Sequence, residues 1–331
     1  MKWIKFLVVP LVLLTSVSAL AGQGYADRPD VQAFIEEQVK TADFDPADLR
    51  AVFSKAEKQQ SIIDAISSPA EAKPWYQYRK IFLTESRTRG GVEFWTKHKD
   101  TLDRAAQKFG VSPEIIVAII GVETFYGRRT GSYRVLNALA TLGFDYPPRA
   151  RFFRKELAQY LMLARDEQWD MLDPKGSYAG AMGMGQFIPS SYRAYAVDFS
   201  GDGKRDLWDS VDAIGSVANY FKRHGWQQGE GVAVPAVATS KSVERLKTDL
   251  KPAYEMKKLQ SHGLKPSTQP DTKGPYSLIA LDVEDGMEYW IGQKNFYVIT
   301  RYNHSPLYAM AVYQLAQDIK QRYQQLLARD S

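Results

Sequence analysis

The chain has 331 residues, of which 44% are hydrophobic and 24% charged, with a formal net charge of +5 and no cysteine. This length and composition exclude the disordered and fibrous classes and suit two domains with well-buried cores. The charge is too small and too dispersed to indicate nucleic acid binding, and the lack of cysteine excludes disulfides and a lipid-carrying cysteine.

The first residues have the features of a cleavable signal peptide. Lys2 and Lys5 precede an apolar run over residues 6–14, and Ala19-Leu20-Ala21 supplies the small-x-small pattern that a signal peptidase recognises. We therefore predict that residues 1–21 are removed on export, with a retained N-terminal anchor as the alternative. The apolar run is too short to span a bilayer, and no later segment approaches ~18 uninterrupted apolar residues.

Apolar residues recur at helical spacing through the N-terminal part of the chain. The pattern predicts a helical region over residues 22–90, which we expect to pack with a C-terminal helix over residues 305–331. Helical patterns continue over residues 91–230 and predict the main domain there. The apolar positions of the first two helices are Val31, Phe34, Ile35, Val39, Leu49, Val52, Phe53 and Ala56, and those of the last are Leu307, Met310, Leu315, Ile319 and Leu326.

The segment over residues 231–304 differs from the rest in composition. It begins irregular and rich in Lys, Pro, Ser and Thr, and then two alternating segments, 277–283 and 287–291, flank Glu284-Asp285-Gly286. This arrangement predicts a β-hairpin. A further strand is expected over residues 296–302, so the whole segment predicts a small β-rich subdomain.

A single acid interrupts the most apolar helix of the sequence. Ser112-Pro113-Glu114 places a cap and a first-turn proline ahead of a helix predicted over residues 113–126, and Glu123 lies near its end. Isoleucines at helical spacing desolvate the carboxyl group, and the negative end of the helix dipole also favours its protonated form. A glycosidic general acid needs this property at neutral pH. The alternative is a structural glutamate paired with Arg128 or Arg129.

Three glycines, at positions 180, 183 and 185, surround Met184 and Gln186 ahead of a predicted helix. They allow close approach of a ligand or of another backbone. The motif is of moderate specificity, because a tight turn between two helices has the same composition.

Residues 198–212 look like an EF-hand calcium loop. Oxygen donors stand at loop positions 1, 3 and 5 and a glycine stands at position 6. The usual glutamate at position 12 is replaced by Asp209, so we expect Asp212 to close a longer loop around the ion. A turn without metal is the alternative. The predicted ligands are Asp198, Ser200, Asp202, the Lys204 carbonyl and Asp212.

Other catalytic patterns are missing from the sequence. The four histidines have no metal-ligand spacing, and there is no nucleophile elbow of the Ser/His/Asp kind. Aromatic residues with hydrogen-bonding tips, such as those around Trp75 and Tyr302, would suit sugar subsites, although core packing is the default for each of them.

Four segments, occurring together in this order, carry a family resemblance: GVETFYGRRTG, LNALATLGFDYPPRARFFRKEL, GAMGMGQFIPSSYRAYAVDFSGDGKRDLWDSVDAIGSVANYFKRHGW and NFYVITRYNHS. They resemble the lytic murein transglycosylase B family over nearly the whole mature chain. The resemblance implies a mainly α (α+β) fold. It would comprise a lysozyme-like helical core with the EF-hand-like loop, a flanking helical domain and a small β subdomain.

The resemblance also implies roles for individual residues. Glu123 takes the place of the family's single catalytic acid, and Ser177 would orient its carboxyl group. Pro148 departs from the family pattern, in which close relatives can carry another arginine beside Arg149. The residues that fall where the family lines its glycan groove are Tyr78, Arg149, Met184, Gln186, Tyr220, Tyr302 and Tyr308.

The implied reaction cleaves the β-1,4 bond between N-acetylmuramic acid and N-acetylglucosamine in peptidoglycan without consuming water. Glu123 would protonate the departing oxygen and then accept the proton of the attacking muramoyl C6 hydroxyl, which leaves a 1,6-anhydro sugar. One alternative is a hydrolytic muramidase, which would need a second carboxylate such as Asp145 or Asp173. Another is a non-catalytic, calcium-stabilised cell-wall-binding protein, which would bind without turnover.

Location and partners follow from the export signal and the resemblance together. We expect a periplasmic monomer that acts on peptidoglycan glycan strands, in association with the cell wall or membrane and with proteins of cell-wall synthesis or remodelling. Calcium is the one cofactor expected, with no organic cofactor and no nucleic acid.

Overall fold

The computed structural model describes residues 24–67 and 73–330, so the predicted signal peptide over residues 1–21 lies outside the described residues. The chain divides after Ala56 into two compact units. The boundaries predicted at residues 90, 230 and 304 stay predictions. The predicted mainly α fold class is confirmed, with 57% of the residues in helices and 10% in strands.

The described part of the first unit, residues 24–56, contains two α-helices, α1 (Pro29–Ala42) and α2 (Pro46–Ser54), as the apolar spacing predicts. Asp45 caps α2 by accepting hydrogen bonds from the backbone of Ala47 and Asp48, and Pro46 occupies the first helical position. The predicted apolar positions are buried, except Val39 and Val52, which are partly buried. The rings of Phe34 and Phe53 meet edge to face at 5.9 Å and join the two helices.

The helices of the second unit surround one apolar helix, α7. Every residue of α7 from Ile115 to Ile120 is at most 2% exposed. The helices are α3 (Gln60–Ile66), α4 (Trp75–Phe82), α5 (Glu85–Lys97), α6 (Lys99–Phe109), α7 (Pro113–Thr124), α8 (Val135–Asp145), α9 (Ala150–Asp166), α10 (Pro189–Tyr195), α11 (Ser210–Arg223), α12 (Met256–Ser261), α13 (Lys294–Thr300) and α14 (Pro306–Asp330).

Close approaches at three glycines fix the end of α7. A Cβ atom at Gly91 of α5 would lie 2.5 Å from Cδ1 of Ile319, a residue of α14. A Cβ atom at Gly121 would lie 2.6 Å from the hydroxyl oxygen of Tyr126, and one at Gly90 would lie 2.9 Å from Cε2 of the same ring. Because only glycine fits at such distances, the Tyr126 ring occupies a slot between α5 and α7.

The strands form two small antiparallel sheets. One pairs β1 (Tyr133–Arg134) with β2 (Lys175–Gly176), and the other has the order β4-β3-β6-β5. The predicted hairpin is confirmed, with Glu284 and Asp285 as its two-residue turn and Val283 opposite Gly286. The strands of the larger sheet are β3 (Ala233–Ala238), β4 (Leu264–Pro266), β5 (Ser277–Val283) and β6 (Gly286–Gly292).

The strand predicted over residues 296–302 is wrong, because this segment forms helix α13. Phe296, Val298 and Ile299 are all fully buried. A short apolar run that is buried on several sides has no period that separates a strand from a helix. The side chain of Asn295 also hydrogen-bonds the backbone oxygens of Gln227 and Glu230, which fixes the start of the helix to the preceding chain.

Within residues 24–67 and 73–330, no single helix is long and apolar enough to cross a membrane. Helices α6 and α7 are long and apolar enough only when taken together, and they are bent by 113° relative to each other.

Candidate active site

Glu123 lies in the last turn of α7, which ends at Thr124 rather than at Tyr126 because Phe125 adopts a left-handed conformation with φ of 52°. The side chain is half-buried. Burial raises the pKa of Glu123 from its ordinary value of 4.5 to about 7, and a hydrogen bond from Tyr308 acts in the opposite direction. Both protonation states of the carboxyl group are therefore populated near neutral pH.

Within the described residues, Glu123 does not form the ion pair with Arg128 or Arg129 that the sequence left open. Arg128 instead lies 3.8 Å from Glu93, and Arg129 has no ion pair within residues 24–67 and 73–330. In that part of the chain, Glu123 has one side-chain hydrogen bond, which the Tyr308 hydroxyl donates to Oε1 at 2.5 Å. The carboxyl group is thus held by a neutral hydroxyl rather than by a cation.

Tyr302, which is also predicted for the groove, lies beside Glu123 and Tyr308, and Tyr220 lies against Tyr302. The Tyr302 hydroxyl donates to the Gly185 carbonyl at 2.5 Å, and its ring centre lies 4.7 Å from that of Tyr220. Burial raises the pKa of both Tyr302 and Tyr308 well above the ordinary tyrosine value, and the nearby Glu123 carboxylate acts in the same direction. Tyr302 and Tyr308 therefore remain protonated donors at neutral pH.

Tyr78 approaches the same group from α4. It raises the pKa of Tyr308 by its proximity, and its own side chain is only 2% exposed. Tyr220 is 7% exposed and donates its hydroxyl to the Arg301 carbonyl at 2.5 Å. Tyr78 and Tyr220 are therefore both largely buried, next to Tyr308 and Tyr302 respectively.

Ser177 begins the glycine-containing loop over residues 177–187. Its hydroxyl oxygen accepts hydrogen bonds from the backbone of Ala179 at 3.3 Å and of Ala181 at 3.1 Å. It makes no hydrogen bond to Glu123 in this structure. The hydroxyl proton stays available for donation, so a role in orienting the carboxyl group stays a prediction.

The glycines of this loop accommodate other parts of the protein. Gly183 has φ of 70°, and a Cβ atom there would lie 2.4 Å from Cβ of Leu207. A Cβ atom at Gly180 would lie 2.6 Å from Cδ2 of Leu139. Close approach of other protein atoms therefore explains why glycine stands at both positions.

The same loop is attached to the end of α7. Thr124 donates its hydroxyl to the Met184 carbonyl at 3.0 Å, and the Met184 side chain lies against Gly127. Gln186, with φ of 51°, donates its amide to the Thr130 carbonyl at 3.1 Å. Met184 and Gln186 thus lie next to the end of α7 that carries Glu123, and their role in lining the groove stays a prediction.

Arg149 lies apart from this group. It is exposed, and its guanidinium carbon lies 4.5 Å from the ring centre of Phe152. No second carboxylate contacts Glu123 within residues 24–67 and 73–330. Asp145 lies 3.7 Å from Lys58, and Asp173 is exposed.

Three carboxylates of the acidic loop lie close enough together to hold one metal ion. One carboxylate oxygen from each of Asp198, Asp202 and Asp212 lies within 4.8 Å of the others. Calcium bonds oxygen at about 2.3–2.6 Å, so two ligands of one ion can be about 5 Å apart. Asp212 is 1% exposed and accepts hydrogen bonds from loop backbone groups, whereas Asp209 caps α11. These hard oxygen donors fit calcium, with Asp212 rather than Asp209 facing the loop.

Sequence reasoning missed two features of the site. The contact between Tyr308 and Glu123 joins residues 185 positions apart, and no local pattern signals such a contact. Thr124 is fully buried, and its hydroxyl group is within hydrogen-bond distance of the backbone carbonyl oxygens of Ile120 and Met184. The sequence feature that indicates Thr124 is a lone hydroxyl side chain in a mostly apolar helix.

Comparison with known proteins identifies the family. A family model described as a transglycosylase SLT domain matches residues 26–317. The membrane-bound lytic murein transglycosylase B of Escherichia coli K12 is 49% identical over 308 residues, which cover 90% of this chain and 84% of that protein. The chain belongs to the lytic murein transglycosylase family. Its members are peptidoglycan-cleaving lyases, and this is the function of the chain.

Solved structures of lytic transglycosylases share the fold. Catenated SltB1 from Pseudomonas aeruginosa is 51% identical with a TM-score of 0.85, covering 90% of this chain and 99% of that one. Escherichia coli Slt35 in complex with calcium is 49% identical with a TM-score of 0.85, covering 91% and 96%. SltB3 from Pseudomonas aeruginosa in complex with NAG-anhNAM-pentapeptide is 28% identical with a TM-score of 0.77, covering 90% and 80%.

Proposed function

We propose that Glu123 is the catalytic acid and base with which this lytic transglycosylase cleaves murein and forms a 1,6-anhydromuramoyl end. The observation that carries the proposal is the pKa of about 7 of this half-buried carboxyl group. A group with this pKa can donate a proton in one step and accept one in the next at neutral pH.

In the first step the protonated Glu123 gives its proton to the oxygen that links the two sugars, and the bond from this oxygen to the muramoyl anomeric carbon breaks. Tyr308 donates a hydrogen bond to Oε1 of Glu123 and so stabilises the carboxylate that remains. The isoleucines behind the carboxyl group keep water away from it. The proton therefore stays on Glu123 until a glycan oxygen is near.

In the second step the muramoyl C6 hydroxyl attacks the anomeric carbon. A new carbon–oxygen bond closes the 1,6-anhydro ring, and the hydroxyl proton passes to Glu123, which restores the acid. No water is consumed, and one carboxyl group performs both transfers. Hydrolysis normally uses two carboxyl groups about 5–9.5 Å apart. Among the residues that the structure describes, no other carboxylate shifts the pKa of Glu123, which supports the route with a single acid.

Other predicted site residues would hold the glycan. Met184, Gln186 and Tyr302 lie next to Glu123 and would contact the sugar at the cleaved bond, and Ser177 would orient the carboxyl group by donating its free hydroxyl proton. Arg149, Tyr78 and Tyr220 would act further along the strand or from behind the site. Relatives support a glycan substrate, since SltB3 is known in complex with a peptide-bearing disaccharide. We propose that the strand bound here also carries peptide stems.

Calcium would be held by Asp198, Ser200, Asp202, the Lys204 carbonyl and Asp212. The donor set supports this assignment, as does the calcium complex of Slt35. The ion would join the loop to the first turn of α11 and stabilise the native state, and it takes no part in the proton transfers.

The location proposed is the periplasm, next to the cell wall or membrane. The relative in Escherichia coli is membrane-bound, which supports a place in the cell envelope. The predicted signal peptide, the monomeric state and the association with other cell-wall proteins are also part of the proposal.

Digestion of purified sacculi in water enriched in heavy oxygen tests the reaction. Mass spectrometry should show 1,6-anhydromuramoyl products without label at the cleaved anomeric carbon. Labelled reducing ends as the main product would identify a muramidase, and binding without any product would identify a wall-binding protein.

A further inference from the structure

Three arginines surround the ring of Phe125, two residues after Glu123. The guanidinium carbons of Arg87, Arg128 and Arg129 lie 5.0, 5.3 and 5.6 Å from the centre of this ring. We call these three residues the Phe125 arginine cluster. Arg87 comes from α5, whereas the other two follow α7, so the fold brings together cations from separate parts of the chain.

The cluster has few acidic partners. Glu93 lies 3.8 Å from Arg128 and also 3.8 Å from Arg89, so one carboxylate is shared by two arginines at long distance. Arg87 and Arg129 make no ion pair with any residue that the structure describes. The cluster therefore carries more positive charge than the carboxylates of residues 24–67 and 73–330 neutralise.

Arg87 is the least satisfied member of the cluster. Its guanidinium group lies between the rings of Phe82 and Phe125, at 5.3 and 5.0 Å. Its Nε atom is buried without a hydrogen-bond partner among the described residues, and burial followed by the charge of Arg129 lowers its pKa. Arginine does not lose its proton in proteins, so among the described residues this half-buried cation has no counter-ion and its Nε atom has no hydrogen-bond acceptor.

A continuous set of contacts joins the cluster to Glu123. Tyr308 hydrogen-bonds Glu123 and lies close to Tyr78. The rings of Tyr78 and Phe82 are 5.2 Å apart, and Phe82 in turn contacts Arg87. Phe125 itself is two residues from Glu123, so the cluster lies near this carboxyl group, where it could meet a group on the strand that Glu123 cleaves.

We propose that the Phe125 arginine cluster binds a carboxylate of the peptide stem on the glycan strand. A guanidinium group presents planar paired donors that match a carboxylate, and the two flanking rings hold Arg87 in one orientation. A peptide stem carries carboxylates at a distance from the sugar, whereas a glycan without its peptide has only the lactyl carboxylate on the muramoyl sugar itself. This inference rests on the proposed function, since it identifies the part of that substrate that the cluster recognises.

Binding can be measured without turnover in the Glu123→Gln protein. Isothermal titration calorimetry would compare NAG-anhNAM-pentapeptide with the same disaccharide lacking its peptide. We expect the additional Arg129→Gln substitution to weaken binding of the peptide-bearing ligand about tenfold and to leave the affinity for the other nearly constant. Arg129 is exposed, so this variant should fold even if Arg87→Gln does not. Arg50→Gln on α2 removes an equal charge from an exposed position and serves as the control.

Equal loss of affinity for both ligands, or no loss for either, would overturn the assignment of the cluster to the peptide. A second measurement separates this outcome from failure of the proposed function. Rates of product formation are compared for strands with peptide stems and for strands stripped of them by an amidase. Arg129→Gln should lower the ratio of the two rates about tenfold, whereas a protein that forms no anhydro product from either strand would refute the catalytic proposal alone.

Discussion

The Tyr308 hydroxyl donates a 2.5 Å hydrogen bond to Oε1 of Glu123, from a helix that begins 182 residues further along the chain than α7 ends. Two effects therefore oppose each other at one carboxyl group. Burial favours its protonated form, and the bond from Tyr308 favours the carboxylate, with a resulting pKa of about 7.

Removing this hydrogen bond should move the pH profile. In Tyr308→Phe the pKa of Glu123 should rise above about 7, because the interaction that lowers it is lost. The acid form then persists to higher pH, so the basic limb of kcat/KM against pH should shift upward while the rate falls. Tyr323→Phe, on the same helix, is the control. If the basic limb of the kcat/KM profile does not move in Tyr308→Phe, then this limb does not arise from the ionisation of Glu123.

Replacing the acid should abolish lysis. We expect Glu123→Gln to fold and to retain less than about a tenth of the rate of muropeptide release from sacculi, since an amide cannot donate the proton. The released products would be quantified by mass spectrometry. A variant with more activity than this would remove Glu123 from the mechanism.

The same substitution should change how stability depends on pH. The pKa of Glu123 is raised from 4.5 to about 7 in the folded protein, so the native state binds more protons than the unfolded state between these values. The contribution of Glu123 to stability is therefore lost as pH rises from about 4.5 to 7, by up to about 3 kcal/mol at about 1.4 kcal/mol per unit. Urea unfolding of both proteins across this range measures the difference. Parallel stability curves would contradict the raised pKa.

Chelation should destabilise the protein through the acidic loop. Because calcium would bind the folded loop and not the unfolded chain, a chelator should lower Tm, and added calcium should restore it. Asp202→Ala should abolish both responses, whereas Asp282→Ala, which removes an exposed carboxylate from β5, should not. Differential scanning calorimetry measures these shifts. If calcium does not change the Tm of the wild-type protein, the loop is a turn that binds no metal.

The glycine at 91 should not tolerate a methyl group. Gly91→Ala would place Cβ 2.5 Å from Cδ1 of Ile319, so the variant should lose about 1–3 kcal/mol of unfolding free energy despite the better helix propensity of alanine. Ile319→Val removes the atom in closest conflict. The double variant should therefore be less destabilised than the sum of the single changes, and strict additivity in urea unfolding would refute the contact.

The helices and the hairpin were predictable because their signals are local. Residues 113–124 are apolar on every side, and Glu284-Asp285-Gly286 has turn chemistry that selects a hairpin. Segment 296–302 could not be assigned in this way, since its hydrophobicity has no clear period. Its helical state depends on contacts that Asn295 makes with residues far back in the sequence.

The environment of Glu123 was only partly predictable. The apolar helix around it predicts a raised pKa, and the pKa of about 7 agrees with that. The partner on the carboxyl group could not be predicted, because the fold rather than the local sequence brings Tyr308 to it. The same holds for the Phe125 arginine cluster, in which Arg87 approaches Arg128 and Arg129 through the packing of α5 beside α7.

The slot that holds Tyr126 limits how the enzyme can move. Helix α14 carries Tyr308 at its start and Ile319 opposite Gly91 about three turns later. A shift of α14 by one turn, about 5.4 Å, would break the bond to Glu123 and force Ile319 out of the space opposite Gly91. Glu123 and the tyrosine that donates to it thus belong to a stiff frame, and a glycan strand that needs more room must obtain it from segments outside that frame.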